Sequence, residues 1–231
     1  MSLRDTPFLV LDTETTGLDP SVDRVVELGL CGVRGHTVYP LLSAQIHPGI
    51  PIPPQASAVH HITDKMVADA PSFEKVWADA WRWIRRVPVI AAHNAAFDRS
   101  MVPDTGKPWL CTYRLARHLW PDAPAHGNQV LRYWLGLELE TTAHSAQDDT
   151  LVTGHILARL IDAYLEAGHA DDVGALVAFA ESPIQVPRMT FGKHYGVPLE
   201  QVPEEYLRWT LANKADLDAD LRWSIERVLP G

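Results

Sequence analysis

A short, uninterrupted apolar run at residues 87–92 most constrains how this chain can fold. Runs of this kind are typical of a strand that is buried on both faces, because a half-buried strand alternates apolar with polar residues. Helical patterns lie on both sides of the run, at residues 72–86 and at Ala95–Met101. A strand flanked in this way predicts a sheet that has helices packed against it.

Further strands and helices are predicted around this run. The predicted strands are Phe8–Asp12, Val25–Val33, Thr37–His47, Val87–Ala92 and Trp109–Cys111. The predicted helices are residues 55–60, 72–86, 95–101, 112–119 and 129–135, and a long one from Ser145 to the glycine at 168. The first three strands form an antiparallel meander, and the whole order predicts an α/β fold with a mixed sheet flanked by helices.

The composition changes near residues 181–187, where two prolines interrupt the chain. This segment is predicted to be a linker. The predicted organisation is therefore a main domain at residues 1–180, a linker at residues 181–187, and a small C-terminal α+β module at residues 188–231.

Size and composition describe an ordinary globular protein. With 231 residues and 46% hydrophobic content, the chain can bury a sizeable hydrophobic core and needs no disulfide or structural metal to fold. Its two cysteines have no C-x-x-C spacing, which favours a reduced, cytoplasmic setting. No long apolar segment occurs, so neither secretion nor a membrane span is expected. The net charge of −9 argues against bulk attraction to nucleic acid, although bound metal ions would change that at a site.

Acidic residues occur at the predicted ends of strands and at the start of the long helix. Asp12 and Glu14 are two residues apart on a strand, so both carboxylates point to the same side. Asp98 follows the buried strand, and His144 and Asp149 lie at the start of the long helix. Gathered carboxylates repel one another, and a divalent cation with oxygen ligands relieves that repulsion. Each acidic cluster alone is equally typical of solvated surface carboxylates.

These clusters stand in three segments that resemble the ordered motifs of the DEDDh exonucleases, a branch of the ribonuclease H-like superfamily. The three segments are Phe8–Leu18, His93–Asp98 and His144–Asp149. Residues 54–63, 111–121 and 190–196 also resemble one bacterial branch of that family. The resemblance implies a ribonuclease H-like mixed five-stranded sheet flanked by helices.

The resemblance also implies roles for individual residues. Asp12, Glu14, Asp98 and Asp149 would be metal ligands, and His144 the general base, all five being catalytic. Asp148 lies one position too early for the family's spacing and is left as a helix N-terminal carboxylate. The implied substrate-binding residues are Thr13, Thr15, Gly17, Leu18, His60, Asn94 and Phe97. Simpler interpretations remain open: a plain turn after the first strand for residues 15–18, and a helix-end role for His60.

The implied activity is metal-dependent 3′→5′ hydrolysis of DNA from a free 3′ end, releasing nucleoside 5′-monophosphates. Two Mg²⁺ or Mn²⁺ ions would serve each site. Single strands are favoured over duplexes as substrate, and DNA repair as the setting. The alternatives are a proofreading subunit, an RNA-trimming exonuclease of the same superfamily, or a catalytically silent nucleic-acid-binding module. The C-terminal module is expected to bind nucleic acid, through Lys193, His194, Tyr195, Arg208 and Trp209, or a protein partner.

Overall fold

The computed structural model describes residues 1–139 and 145–229, which fall into two compact units, Met1–Ala180 and Glu181–Gly231. Within the described residues, the first unit contains a five-stranded mixed sheet in the order β3-β2-β1-β4-β5. The strands are β1 (Phe8–Thr15), β2 (Val25–Arg34), β3 (Thr37–Gln45), β4 (Val89–Ala92) and β5 (Trp109–Cys111). The first three strands are antiparallel, and β1, β4 and β5 are parallel, so the predicted α/β sheet is confirmed.

Helices cover both faces of this sheet. The helices of the first unit are α1 (Pro54–His60), α2 (Asp64–Val67), α3 (Phe73–Ile84), α4 (Ala95–Met101), α5 (Thr112–Leu119), α6 (Asn128–Trp134), α7 (Ala146–Glu166) and α8 (Val173–Glu181). Because side chains alternate along a strand, Phe8 and Val10 of β1 pack with α7 in one core. Leu9 and Leu11 pack with α3 in the other. Helices α2 and α8 were not predicted from the sequence.

Strand β1 extends three residues beyond its predicted end, so that Asp12 and Glu14 both lie inside it. Opposite Asp12 on β2 is Gly29. A Cβ atom at Gly29 would lie 2.3 Å from the carbonyl oxygen of Ala146, the first residue of α7. The missing side chain therefore lets α7 begin directly against the strands that carry the carboxylates.

The second unit has a hydrophobic core of its own around α9 (Glu204–Asn213) and α10 (Ala219–Val228). It also contains two single-turn 3₁₀ helices, Gly192–His194 and Leu199–Gln201. The prediction of an α+β module is wrong for the described residues, in which the unit's only β pairing is one bridge between Arg188 and Pro198.

The segment predicted to be a linker is instead part of the second unit. Ile184 and Val186 are buried, and Val186 belongs to that unit's core. The Ile184 N–H donates to the Asp220 carboxylate at 3.0 Å, and the Val186 N–H donates to the Ser224 hydroxyl at 2.8 Å. The segment between the two prolines forms no helix, but its backbone is held against α10.

No helix in the described part of the chain has the length and apolar character needed to cross a membrane.

Candidate active site

Three of the predicted metal ligands meet at the sheet face that α7 covers. Asp12 and Glu14 project from β1, and Asp149 lies in the first turn of α7. One ligand atom from each of the three carboxylates lies within 4.8 Å of the other two. The close start of α7 at Gly29 brings these side chains together, although Asp12 and Asp149 are 137 positions apart in the sequence.

The fourth predicted ligand, Asp98, lies beside this trio on α4. Its Oδ1 atom accepts hydrogen bonds from the Thr13 backbone N–H at 3.0 Å and from the Thr13 hydroxyl at 2.9 Å. The side chain is 2% exposed. Burial raises the pKa of Asp98 to about 7, although both Thr13 bonds oppose that rise. Thr13, predicted as a substrate contact, therefore uses its donors to hold Asp98.

The electrostatics of the cluster favour a cation. Burial raises the pKa of Asp12 well above its ordinary value, and the charges of Asp98, Glu14, Asp149 and Glu27 add to that rise. Burial also raises the pKa of Glu14 to about 8, with Asp149, Glu27 and Asp98 contributing. Every cause acting on these two groups disfavours the ionised form. The donor set consists of hard carboxylate oxygens, which fits a divalent cation such as Mg²⁺ or Mn²⁺.

Asp149 is tethered by two residues at the start of α6. The side-chain amide of Gln129 donates to Asp149 Oδ1 at 2.9 Å, and that of Asn128 donates to the Asp149 backbone carbonyl at 3.2 Å. Sequence reasoning missed both residues. No local signal could have found them, because their role depends on how α6 packs against a helix about twenty residues further along.

Glu27 is a further buried carboxylate that sequence reasoning missed. It lies opposite Glu14 in the β1–β2 ladder, and its Oε2 atom accepts the Ala146 N–H at 3.0 Å. Burial raises its pKa; the Ala146 N–H lowers it, and Asp148 and Asp149 raise it. A signal was available here, because an acidic residue in the otherwise apolar run of β2 is unusual.

Three further residues of the motifs are His144, Asp148 and His93. His144, the predicted general base, lies outside the described residues. Asp148, set aside on spacing, occupies the first turn of α7 and is not a member of the close trio of carboxylates. His93 is satisfied: its ring nitrogens lie 3.0 Å from the Thr112 hydroxyl and 2.9 Å from the His126 carbonyl oxygen. Burial lowers the pKa of His93 to about 4.

The predicted substrate residues after β1 form a compact loop with one exposed side chain. The Thr15 hydroxyl donates to the Gly17 carbonyl at 2.6 Å. A Cβ atom at Gly17 would lie 2.4 Å from the Asp23 carboxylate, which itself accepts the Thr16 hydroxyl. Leu18 follows and is 82% exposed. The loop that follows β1 therefore presents an exposed apolar side chain, and its contact with a nucleotide stays a prediction.

Three other predicted substrate residues lie on two helices. His60, at the end of α1, is buried, and its Nδ1 atom accepts the Ile62 N–H at 3.0 Å. Burial lowers the pKa of His60. Asn94 is exposed at the N-terminus of α4 with a left-handed φ of 70°, which asparagine tolerates. Phe97 is half-buried one turn further along. Their contacts with substrate stay predictions.

Comparisons with known proteins agree with this geometry. A family model described as "Exonuclease" matches residues 9–157. Exodeoxyribonuclease 10 of Escherichia coli (strain K12) is 32% identical over 231 residues, covering 95% of this chain and 97% of that protein. DNA polymerase III subunit epsilon of Treponema pallidum (strain Nichols) is 32% identical over 189 residues, covering 76% of this chain and 84% of that protein.

Solved structures show the same architecture. Exonuclease X in complex with 5′ overhanging duplex DNA matches with a TM-score of 0.64 and 32% identity, over 75% of this chain and 99% of that chain. The nuclease domain of 3′hExo, described as a DEDDh family member bound to rAMP, matches in fold with a TM-score of 0.58 and 16% identity, over 73% and 96% of the two chains. The fold and the site thus define an α/β protein of the ribonuclease H-like class. Within that class, the chain belongs to the exonuclease family, as its motifs indicated.

Proposed function

We propose that this protein is a metal-dependent 3′→5′ exodeoxyribonuclease that releases nucleoside 5′-monophosphates. The observation that carries the proposal is the meeting of Asp12, Glu14 and Asp149 within 4.8 Å. These carboxylates lie in a chain that resembles a bacterial exodeoxyribonuclease over 95% of its length. We further propose that the enzyme works in DNA repair in the cytoplasm, a setting consistent with its two free cysteines.

The acidic cluster is suited to hold two Mg²⁺ or Mn²⁺ ions through Asp12, Glu14, Asp98 and Asp149. The fit rests on the carboxylates themselves, since burial and mutual repulsion raise the pKa of Asp12, and that of Glu14 to about 8. Bound cations would neutralise this repulsion and the charge that develops on the phosphodiester during in-line attack. Ionising these carboxylates in the folded protein therefore costs free energy, and a bound cation would remove that cost.

Residues of the chain itself accept the proton of the attacking water and bind the substrate strand. His144 takes the proton from the attacking water, because an imidazole with a pKa near 6.5 suits neutral operation. Leu18 and the backbone of residues 15–17 hold the 3′-terminal nucleotide, with Asn94 beside the scissile strand. His60, buried at the end of α1, is also proposed to contact the substrate.

The second candidate function is proofreading within a replicative polymerase, favoured by the resemblance to a polymerase subunit epsilon. That resemblance covers 76% of this chain. The resemblance to the exodeoxyribonuclease covers 95%, and therefore includes most of the second unit. We favour a free-standing nuclease for this reason.

We also propose that the second unit binds a nucleic-acid strand, rather than a protein, through an aromatic surface. Tyr195 is 75% exposed and Trp209 49% exposed. Trp209 stacks on Tyr206 with 5.9 Å between ring centres, and the Lys193 ammonium lies 5.1 Å from the centre of the Tyr206 ring. Exposed aromatic rings beside a cation suit the stacking of bases.

Strands labelled at one end distinguish exonuclease polarity directly. With Mg²⁺ present, a 3′ label should appear in mononucleotide at once, whereas a 5′ label should appear first in progressively shorter strands. Matched DNA and RNA strands, single and duplex, rank the substrates. A strand that stays intact with Mg²⁺ and with Mn²⁺ would contradict the proposal.

The role of the aromatic surface is tested by measuring the binding of a long single strand. Replacing Tyr195 and Trp209 together with alanine should weaken binding of a long single strand by roughly tenfold or more, because one stacked base contributes about 1–3 kcal/mol. Trp81→Ala, at a half-exposed tryptophan on α3, is the control and should bind normally. Unchanged binding by the double variant would favour a protein partner instead.

A further inference from the structure

A relay of three side chains ends on the Asp149 carboxylate. Gln129 Nε2 donates to Asp149 Oδ1 at 2.9 Å, and Arg132 Nη1 donates to Gln129 Oε1 at 3.2 Å. Gln129 and Arg132 are three residues apart on α6, so they lie on the same face of that helix. The relay therefore connects a buried cation to a candidate metal ligand through one neutral amide.

The chemistry of the three groups fixes the direction of the relay. A guanidinium has only donors, whereas a glutamine amide has an acceptor oxygen at one side and a donor nitrogen at the other. Arg132 therefore holds the oxygen of Gln129 towards itself and leaves the nitrogen to face Asp149. Without that constraint, the amide could turn its oxygen towards the carboxylate, and two acceptors would then repel each other.

Arg132 is itself held in place. Its side chain is 8% exposed, and Nη2 donates to the backbone carbonyl of Leu139. The guanidinium also lies over the ring of Tyr133, 5.3 Å from its centre. A buried arginine that is fixed at several points is a rigid support, since little of its side-chain freedom remains to be lost.

A neutral donor suits a metal ligand better than a second cation does. An ammonium or guanidinium placed directly on Asp149 would neutralise the carboxylate and compete with a metal ion for it. The Gln129 amide orients the Asp149 carboxylate through a hydrogen bond to Oδ1 and brings no charge that would compete with a metal ion. Groups that hold a ligand in this way set both the geometry and the affinity of a metal site.

We propose that Gln129 is a positioning residue for Asp149, and that Arg132 orients the Gln129 amide. This proposal rests on the proposed function, in which Asp149 binds a divalent cation. Gln129 does not touch substrate; it acts by holding one ligand at the place where β1 presents the other two.

The test measures Mn²⁺ affinity of the full-length protein by titration calorimetry without DNA, and then kcat and KM. Gln129→Met keeps the length of the side chain and removes the donor. We expect about tenfold weaker Mn²⁺ binding and about a 10–100-fold lower kcat, with KM within about twofold. Gln201→Met, at an exposed glutamine of the second unit, is the matched control and should match the wild type.

Arg132 is tested by a double-mutant cycle. Arg132→Met alone should weaken Mn²⁺ binding, but should add nothing in the Gln129→Met background, because its effect passes through the amide. If Arg132→Met does not fold, as judged by circular dichroism, Arg132→Lys replaces it in the cycle. Additive effects on Mn²⁺ affinity, or wild-type Mn²⁺ affinity in Gln129→Met, would overturn the relay.

The same data separate this proposal from the proposed function. Wild-type protein that binds Mn²⁺ but leaves every strand intact would overturn the exonuclease, whereas the calorimetry would still test the relay. Wild-type protein that cleaves DNA while Gln129→Met retains full Mn²⁺ affinity would overturn the relay alone. Wild-type protein that binds no Mn²⁺ would overturn the relay, and cleavage of the labelled strands with Mg²⁺ would then decide the exonuclease by itself.

Discussion

Both units of this chain bury carboxylates, but the two surroundings differ. In the second unit, Asp220 is 3% exposed and accepts the Ile184 N–H at 3.0 Å. In the first unit, Asp12 and Glu14 face other carboxylates, and burial with like charges raises the pKa of both. A buried carboxylate that meets backbone donors stabilises a fold, whereas gathered carboxylates oppose folding unless a cation binds. The difference favours Asp12 and Glu14, rather than Asp220, as candidate metal ligands.

Replacing Asp149 with alanine should have the largest effect. The variant loses one of three converging ligands, and we expect kcat to fall by about 10³-fold or more, since metal ions supply several kcal/mol of transition-state stabilisation. DNA binding measured by fluorescence anisotropy should persist. Glu166→Ala, at the other end of the same helix, is the control and should keep full activity. Activity within tenfold of wild type would remove Asp149 from the site.

Replacing Glu27 should have a smaller effect that depends on the new side chain. Glu27→Ala leaves the first N–H of α7 without its acceptor and should lower kcat by about 10–100-fold, the range seen when supporting groups of metal ligands are lost. Glu27→Gln keeps a carbonyl oxygen for the Ala146 N–H and should recover most of the activity. Equal losses in both variants would mean that the charge matters, and would place Glu27 among the ligands.

These residues also show what the sequence could predict. Asp12, Glu14, Asp98 and Asp149 were predicted as ligands because their motifs stand in a fixed order along the chain, and the structure brings Asp12, Glu14 and Asp149 together. Glu27 was missed although it is an acidic residue in an apolar run, because its role depends on strand register, which pairs it with Glu14.

Features without a motif were also missed in the rest of the chain. Gln129 acts through packing between α6 and α7, which no local pattern encodes. The error in the second unit has the same origin: prolines indicated a linker at residues 181–187, but only tertiary packing shows that Ile184 and Val186 are buried.

Because ionised carboxylates repel one another in the first unit, the stabilisation of the protein by a metal ion should depend on pH. The folded protein raises the pKa of Glu14 from 4.5 to about 8. Between these values the folded state binds a proton that the unfolded state releases, so the metal-free protein loses stability as pH rises. Mg²⁺ at about 100 times its Kd should stabilise by about 2.7 kcal/mol. At one fixed Mg²⁺ concentration, the increase in Tm should be larger at pH 8 than at pH 5.5, where protons compete with the cation for the carboxylates.

Differential scanning fluorimetry with and without Mg²⁺ at the two pH values checks this expectation. Asp149→Ala serves as the control, because a damaged site should show little increase in Tm at either pH. An increase that is equal at both pH values in the wild type would mean that the carboxylates are already ionised without metal. The two units would then differ less than their surroundings suggest.

Replacing Asp220 with alanine should have the smallest effect on activity. The Ile184 N–H would stay buried without an acceptor, at a cost of about 1–3 kcal/mol to the second unit. Hydrogen exchange over residues 181–229, followed by mass spectrometry, should therefore become faster. Cleavage of a short oligonucleotide should stay within about twofold of wild type, because no charge at the acidic cluster has changed. If kcat fell as far as in Asp149→Ala while the first unit's exchange stayed unchanged, Asp220 would serve catalysis, and the distinction between structural and site carboxylates would fail.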